Sequence, residues 1–164
     1  KGMELEQKVR YLIALGLSEK AARYYLRYET DTWAVVPSFR LLKPLSDDLE
    51  FYRGRYRELL VQWQGEGVLE KKDPEAAALL RAGATPEQVE RLVYEKTLQA
   101  YELLLYQLDD HTGAEVSDAF AQEDFSRCSY GRLLEMGPDR NPTGRYLFEV
   151  HGMIPFSQLN SSCE

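Results

Sequence analysis

A chain of 164 residues is long enough to bury a hydrophobic core without disulfide or metal staples. Its composition, 44% hydrophobic, 12% aromatic and 29% charged, is that of a folded globular protein and excludes disordered and collagen-like classes. The net charge of −7 is unevenly placed: residues 1–60 carry 11 Lys and Arg against 9 Asp and Glu, whereas residues 61–164 carry 9 against 18.

Leu5, Val9, Leu12 and Ile13 recur at helical spacing, so residues 3–15 are expected to form an amphipathic helix stopped by Gly16. Ser18 is placed to cap a second helix from Glu19 to about Tyr28, with Ala22, Tyr25 and Leu26 as its apolar stripe. The segment from Thr32 to Leu42 is rich in Trp, Val and Phe and reads as a strand, but Pro37 lacks a donor and makes it an edge strand or breaks it. Pro44 and Ser46 mark the next boundary. A helix is expected from Asp48 to Gln64, burying Leu49, Tyr52, Tyr56, Leu59, Leu60 and Trp63, with Gly65 and Gly67 at its end. Gln64 to Asp73 is polar and is the best hinge in the chain.

Asp73 followed by Pro74 is a cap and first-position pair, opening a short helix to Ala82. Thr85, Pro86 and Gln88 repeat that logic with a capping box, and the long helix they start runs to about Asp109. A short helix fits Ser117 to Phe125. From Gly144 to Ile154 the period changes to two, with Tyr146, Phe148, Val150 and Ile154 on one face. With Tyr130 to Met136 before it and Gly and Pro between, this reads as a β-hairpin that must pack on a helix or pair with the Trp33 segment. The expected fold is α+β and mainly α: about five helices in a bundle with a C-terminal β-hairpin. One domain is expected over 1–164, with a helical part at 3–125, the hairpin at 129–155 and a flexible tail at 157–164.

No motif selects a chemistry. His111, Cys128, His151 and Cys163 are all the His and Cys in the chain, but their gaps of 17, 23 and 12 positions lack the closely spaced pairs of a zinc site. No metal and no cofactor are therefore expected. Asp109, Asp110, Asp118, Glu123 and Asp124 form an acidic cluster without the glycine and glutamate of a calcium loop, and read as a solvated surface that meets a partner. Walker, GxSxG, HExxH and dinucleotide-turn patterns are missing, so catalysis is not favoured. Lys20, Arg23 and Arg27 share a helix face and Arg53, Arg55 and Arg57 sit among tyrosines, which raises nucleic-acid binding as a reading; the acidic balance opposes it.

The function that fits best is a non-catalytic protein-binding or regulatory module, of the inhibitor or immunity type, whose acidic C-terminal half meets a basic partner. Its rival is a small enzyme or ligand binder with a pocket between the long helix and the hairpin, lined by Tyr101, His111, Tyr146 and His151. Nucleic-acid binding through the second helix is third. The longest apolar runs, such as Leu103 to Leu105, fall far short of the roughly 20 residues of a membrane span. No secretory signal is evident at the N-terminus, and two sparse cysteines, read as free thiols, suit the cytoplasm. The oligomeric state has no signature in the sequence.

Overall fold

A computed structural model describes residues 4–108, 133–148 and 150–163. The protein is mainly helical with a small mixed sheet, the α+β class expected. Its contacts divide it into two compact units, Lys1–Lys43 with Glu102–Glu164, and Pro44–Tyr101.

The first unit opens with α1 (Leu5–Ala14), which buries Val9 and Leu12. It stops where Gly16 adopts φ +111°, a left-handed conformation that favours glycine, and the Leu17 N–H returns to the Leu12 carbonyl. The Ser18 hydroxyl accepts the Ala21 N–H at 3.1 Å and caps α2 (Glu19–Leu26), whose Ala21, Ala22 and Leu26 are buried. This helix pair is the one the periodicity dictates.

Trp33 and Ala34 form the short strand β1, and at Val35 the chain turns directly into α3 (Val35–Glu50). Of the expected Thr32–Leu42 strand, only Trp33 and Ala34 are in strand. Pro37 falls in the first turn of the helix, where a missing N–H costs nothing, so it helps to start the helix instead of breaking a strand. Pro44 lies inside the same helix, at the division between the units.

The hairpin exists in shortened form. Strand β2 (Leu134–Met136) pairs antiparallel with β3 (Pro142–Leu147), and β1 adds to the other edge of β3 in parallel, Trp33 opposite Tyr146. The expected pairing with the Trp33 segment is thus present. Strand β3 does not continue to Ile154, because the Phe148 N–H donates to the Ser38 hydroxyl at 2.8 Å and Gly152 takes φ +69°. Ser38 is fully buried and satisfied: its own O–H donates to the Ala34 carbonyl at 2.7 Å. Beyond the strand, Val150, Met153 and Ile154 are all buried, so the period of two ends with the ladder.

The segment expected as a tail is instead the helix α8 (Phe156–Ser162), with Phe156 and Leu159 buried. Phe156 stands edge-on to Phe39, which in turn meets Tyr25. The Asn160 amide completes the docking, accepting the Ser18 N–H at 2.7 Å and donating to the Gly16 carbonyl at 3.0 Å. Burial of two apolar side chains, at about 1.5–3 kcal/mol each, explains why so short a helix is held.

In the second unit the expected Asp48–Gln64 helix is present as an uninterrupted helical run with one π turn inside it. After α3 ends, Phe51–Arg55 forms a π turn in which the Tyr56 N–H reaches back to the Phe51 carbonyl, and α4 (Tyr56–Gly65) follows. The expected hinge holds a helical turn, α5 (Leu69–Lys72), whose Leu69 joins the core. Next come α6 (Pro74–Arg81) and the long α7 (Pro86–Leu108), both as expected. Asp73 caps the first by accepting the Ala76 N–H at 2.9 Å, and Thr85 and Gln88 form the reciprocal capping box of the second. Tyr56, Leu60, Leu69, Ala76, Ala77 and Val89 make the core of this unit. With α3, α5 and α8 counted, the helical segments are more numerous and shorter than the five expected.

Candidate functional site

Among the described residues, the first unit has a hollow where α2 and the turn after it meet the segment after β3. Tyr24, Tyr25, Tyr28, Phe148, His151, Gly152 and Met153 line it, and its volume is about 380 Å³. The end of α2 supplies Tyr24 and Tyr25, and the turn that follows supplies Tyr28, whose N–H donates to the Tyr25 carbonyl at 2.9 Å. The halt of the strand at Phe148 and the turn at Gly152 bring Phe148, His151 and Met153 to the same place.

The rings are mutually braced. Tyr28 stacks on Phe148 with centroids 5.0 Å apart, Phe148 meets Trp33 edge-on at 6.2 Å, and Tyr24 stands edge-on to Tyr25 at 5.1 Å. The Tyr24 and Tyr28 hydroxyls are hydrogen-bonded at 3.3 Å, and Arg27 lies over the Tyr24 ring at 4.4 Å. His151 packs edge-on to Tyr106 at 5.6 Å. Burial pushes the Tyr25 phenol above its ordinary value, with the nearby Cys163, Tyr24 and Tyr28 adding to the rise. Tyr25 is therefore a neutral hydrogen-bonding group through the physiological range. The lining offers aromatic faces, one imidazole, one thioether and phenol hydroxyls, a set suited to binding.

Beside this hollow lies a charged cluster of structural character. Glu29 accepts from Lys8 and Arg145 at 2.9 Å each and from the Val35 N–H at 2.7 Å, while Arg145 grips Glu135 with two bonds of 2.8 and 2.7 Å. It ties α1, the start of α3 and the two hairpin strands together.

Of the pocket residues expected from the sequence, His151 lines the hollow. Tyr146 sits in β3 against Trp33, 6.4 Å between centroids, and is not among the lining residues. Tyr101 belongs to the second unit, where its hydroxyl donates to Asp48 at 2.5 Å. His111 and the acidic residues Asp109, Asp110, Asp118, Glu123 and Asp124 lie outside the described residues, as do Cys128 and the helix expected at Ser117–Phe125. Cys163 is a free thiol. No group of three or more metal-ligating side chains occurs among the described residues. In the basic face of α2, Arg23 is engaged by Glu6 and Glu19 and Arg27 by the Tyr24 ring.

Tyr24, Tyr28, Phe148 and Met153 were not singled out by the sequence. The signal for the two tyrosines was the excess of tyrosine, eleven in all, and the clustering of three within five positions. No described helix is long and apolar enough to cross a membrane. No protein-family model matches the chain, and neither a curated protein nor a solved structure matches it.

Proposed function

We propose that the protein is a non-catalytic protein-binding module that receives an apolar side chain of its partner in the aromatic hollow of the first unit. The observation that carries this reading is the gathering of Tyr24, Tyr25, Tyr28, Phe148, His151 and Met153 around about 380 Å³. Aromatic residues and methionine are the side chains enriched at interface cores, because they bury large area at small entropic cost and leave a polar tip for the rim. Tyr24 and Tyr28 are each 40% exposed, so a large part of their rings is available for burial. The lining has no carboxylate, ammonium or guanidinium group, which favours an uncharged anchor. The excess of acidic residues over 61–164 would draw a basic partner toward the molecule and quicken encounter. The cytoplasm is the proposed setting, in keeping with sparse cysteines and the free thiol at Cys163.

The test is a two-step capture. A partner is isolated at low salt with the full chain, purified, and its affinity measured against the chain and against Tyr24→Ser/Tyr28→Ser. Losing two partly exposed aromatic anchors should weaken binding by about 2 kcal/mol or more, roughly thirtyfold. Val61→Ser, a change at an exposed apolar position of the other unit, should leave affinity as it was. Undiminished binding by the tyrosine variant, or the recovery of no partner, would overturn the proposal.

A further inference from the structure

The second unit carries a different hollow, and its chemistry is not that of the first. It is about 210 Å³, with Tyr52, Tyr56, Asp73, Glu75, Leu79 and Val93 among its lining. We infer that this hollow is a recognition site for the guanidinium head of an arginine side chain on a basic partner. The inference stands on the second unit alone and does not depend on the role proposed for the first.

The π turn, the start of α4, α6 with its cap, and α7 supply the walls. Tyr52, in the turn, and Tyr56, four positions on at the start of α4, stand side by side with ring centroids 5.4 Å apart and planes at 78°, the edge of one ring toward the face of the other. The Tyr56 hydroxyl donates to Asp73 at 2.5 Å, and a phenol bonded to a carboxylate is polarised toward an electron-rich ring. Asp73 also accepts the Ala76 N–H, so its charge is fixed in position by two donors. Glu75, in the first turn of α6 and exposed, adds a second carboxylate at the rim. Leu79 and Val93 provide an apolar surface for the aliphatic stem of a long side chain.

Each feature selects the same occupant. A negative ring face beside carboxylates attracts a cation, and the planar, weakly hydrated guanidinium both stacks on a ring and forks toward a carboxylate. A neutral apolar group there would strip water from carboxylates without compensation. A bare metal ion would find ring carbons for most of its shell, whereas hard cations require six or more oxygens. At about 210 Å³ the hollow is below the roughly 300 Å³ at which small-molecule sites begin, and it suits the head of one side chain. The second unit carries 11 Asp and Glu against 8 Lys and Arg, so its overall field does not oppose a cation.

The experiment is a titration of the full chain, followed by NMR, with N-acetyl-arginine amide and with its neutral isostere N-acetyl-citrulline amide, each to about 50 mM, the range in which a single side chain binds. The expected result is saturable shifts of the Tyr52 and Tyr56 ring and Val93 methyl resonances with the arginine compound and none with the citrulline compound. Glu75→Gln and Tyr52→Leu should each weaken the arginine response about tenfold. Glu75 is exposed, so its variant folds even where the Tyr52 change does not. Equal shifts from both compounds, no shifts from either, or an unaltered response in Glu75→Gln would overturn the inference.

Discussion

Removal of the Glu29 carboxylate tests how the first unit is held together. Its side chain is 11% exposed and has three donors: the Lys8 ammonium, the Arg145 guanidinium and the Val35 N–H at the start of α3. In Glu29→Ala the Val35 N–H, on a fully buried residue, loses its acceptor, which costs about 1–3 kcal/mol. The cations suffer less. Lys8 and Arg145 are 21% and 25% exposed and can turn to water, and Arg145 keeps its paired bonds to Glu135, so each lost ion pair is worth about 0.5–1 kcal/mol. The expected loss is about 3 kcal/mol, at the lower edge of the roughly 3–5 kcal/mol for breaking a fully buried pair. Urea unfolding followed by helical circular dichroism and by the fluorescence of Trp33, in adjacent β1, measures it. Glu29→Gln keeps one oxygen for Val35 and should lose about half as much. A loss under about 1 kcal/mol in Glu29→Ala would refute the reasoning, because it would mean that Val35 and both cations find equal partners elsewhere.

The same cluster sets an acid limit. For Glu29, burial works to raise the carboxyl, but the Lys8, Arg145 and Val35 bonds outweigh it and hold the group below its ordinary value. The Arg145 fork does the same for Glu135. Groups depressed in the folded state stabilise fully above the unfolded carboxylate value, about 4.3, and lose that contribution as pH falls through their lower folded values. The wild type should therefore weaken below about pH 4, and Glu29→Gln should show a shallower decline over that range.

At high pH the tyrosines of the second unit should answer in the opposite sense. Asp48 pushes the Tyr101 phenol up to about 12, and burial together with Asp73 pushes Tyr56 up as well. Both stabilise below the unfolded tyrosine value, about 10, and that contribution is lost as pH rises through their folded values; phenolate absorbance should show a late phase that shrinks in Tyr56→Phe and in Tyr101→Phe. An unchanged late phase would count against both bonds. At the C-terminus, Asn160→Ala deletes two bonds to the α1–α2 turn and should cost about 1–3 kcal/mol, with faster proteolysis or amide exchange in α8. Equal exchange in the two proteins would show that α8 is held by Phe156 and Leu159 alone.

Local chemistry by itself determined the helix pair at the N-terminus, the short α6 and the start of α7. Gly16, Ser18, Asp73, Thr85 and Gln88 act on backbone groups within a few residues, so their effect is written in the sequence beside them. The class, mainly helical with a small sheet, followed from the change of period near Gly144. Tertiary structure decided the rest. Whether Val35 continued a strand or opened a helix depended on β3, from residues over 100 positions away, taking Trp33 and Ala34 into its ladder. The length of β3 depended on the buried Ser38 hydroxyl, and the helicity of Phe156–Ser162 on Phe39 and the α1–α2 turn. The aromatic hollow was hidden for the same reason: Tyr24 and His151 meet only after the chain has folded back on itself, and periodicity reads one segment at a time.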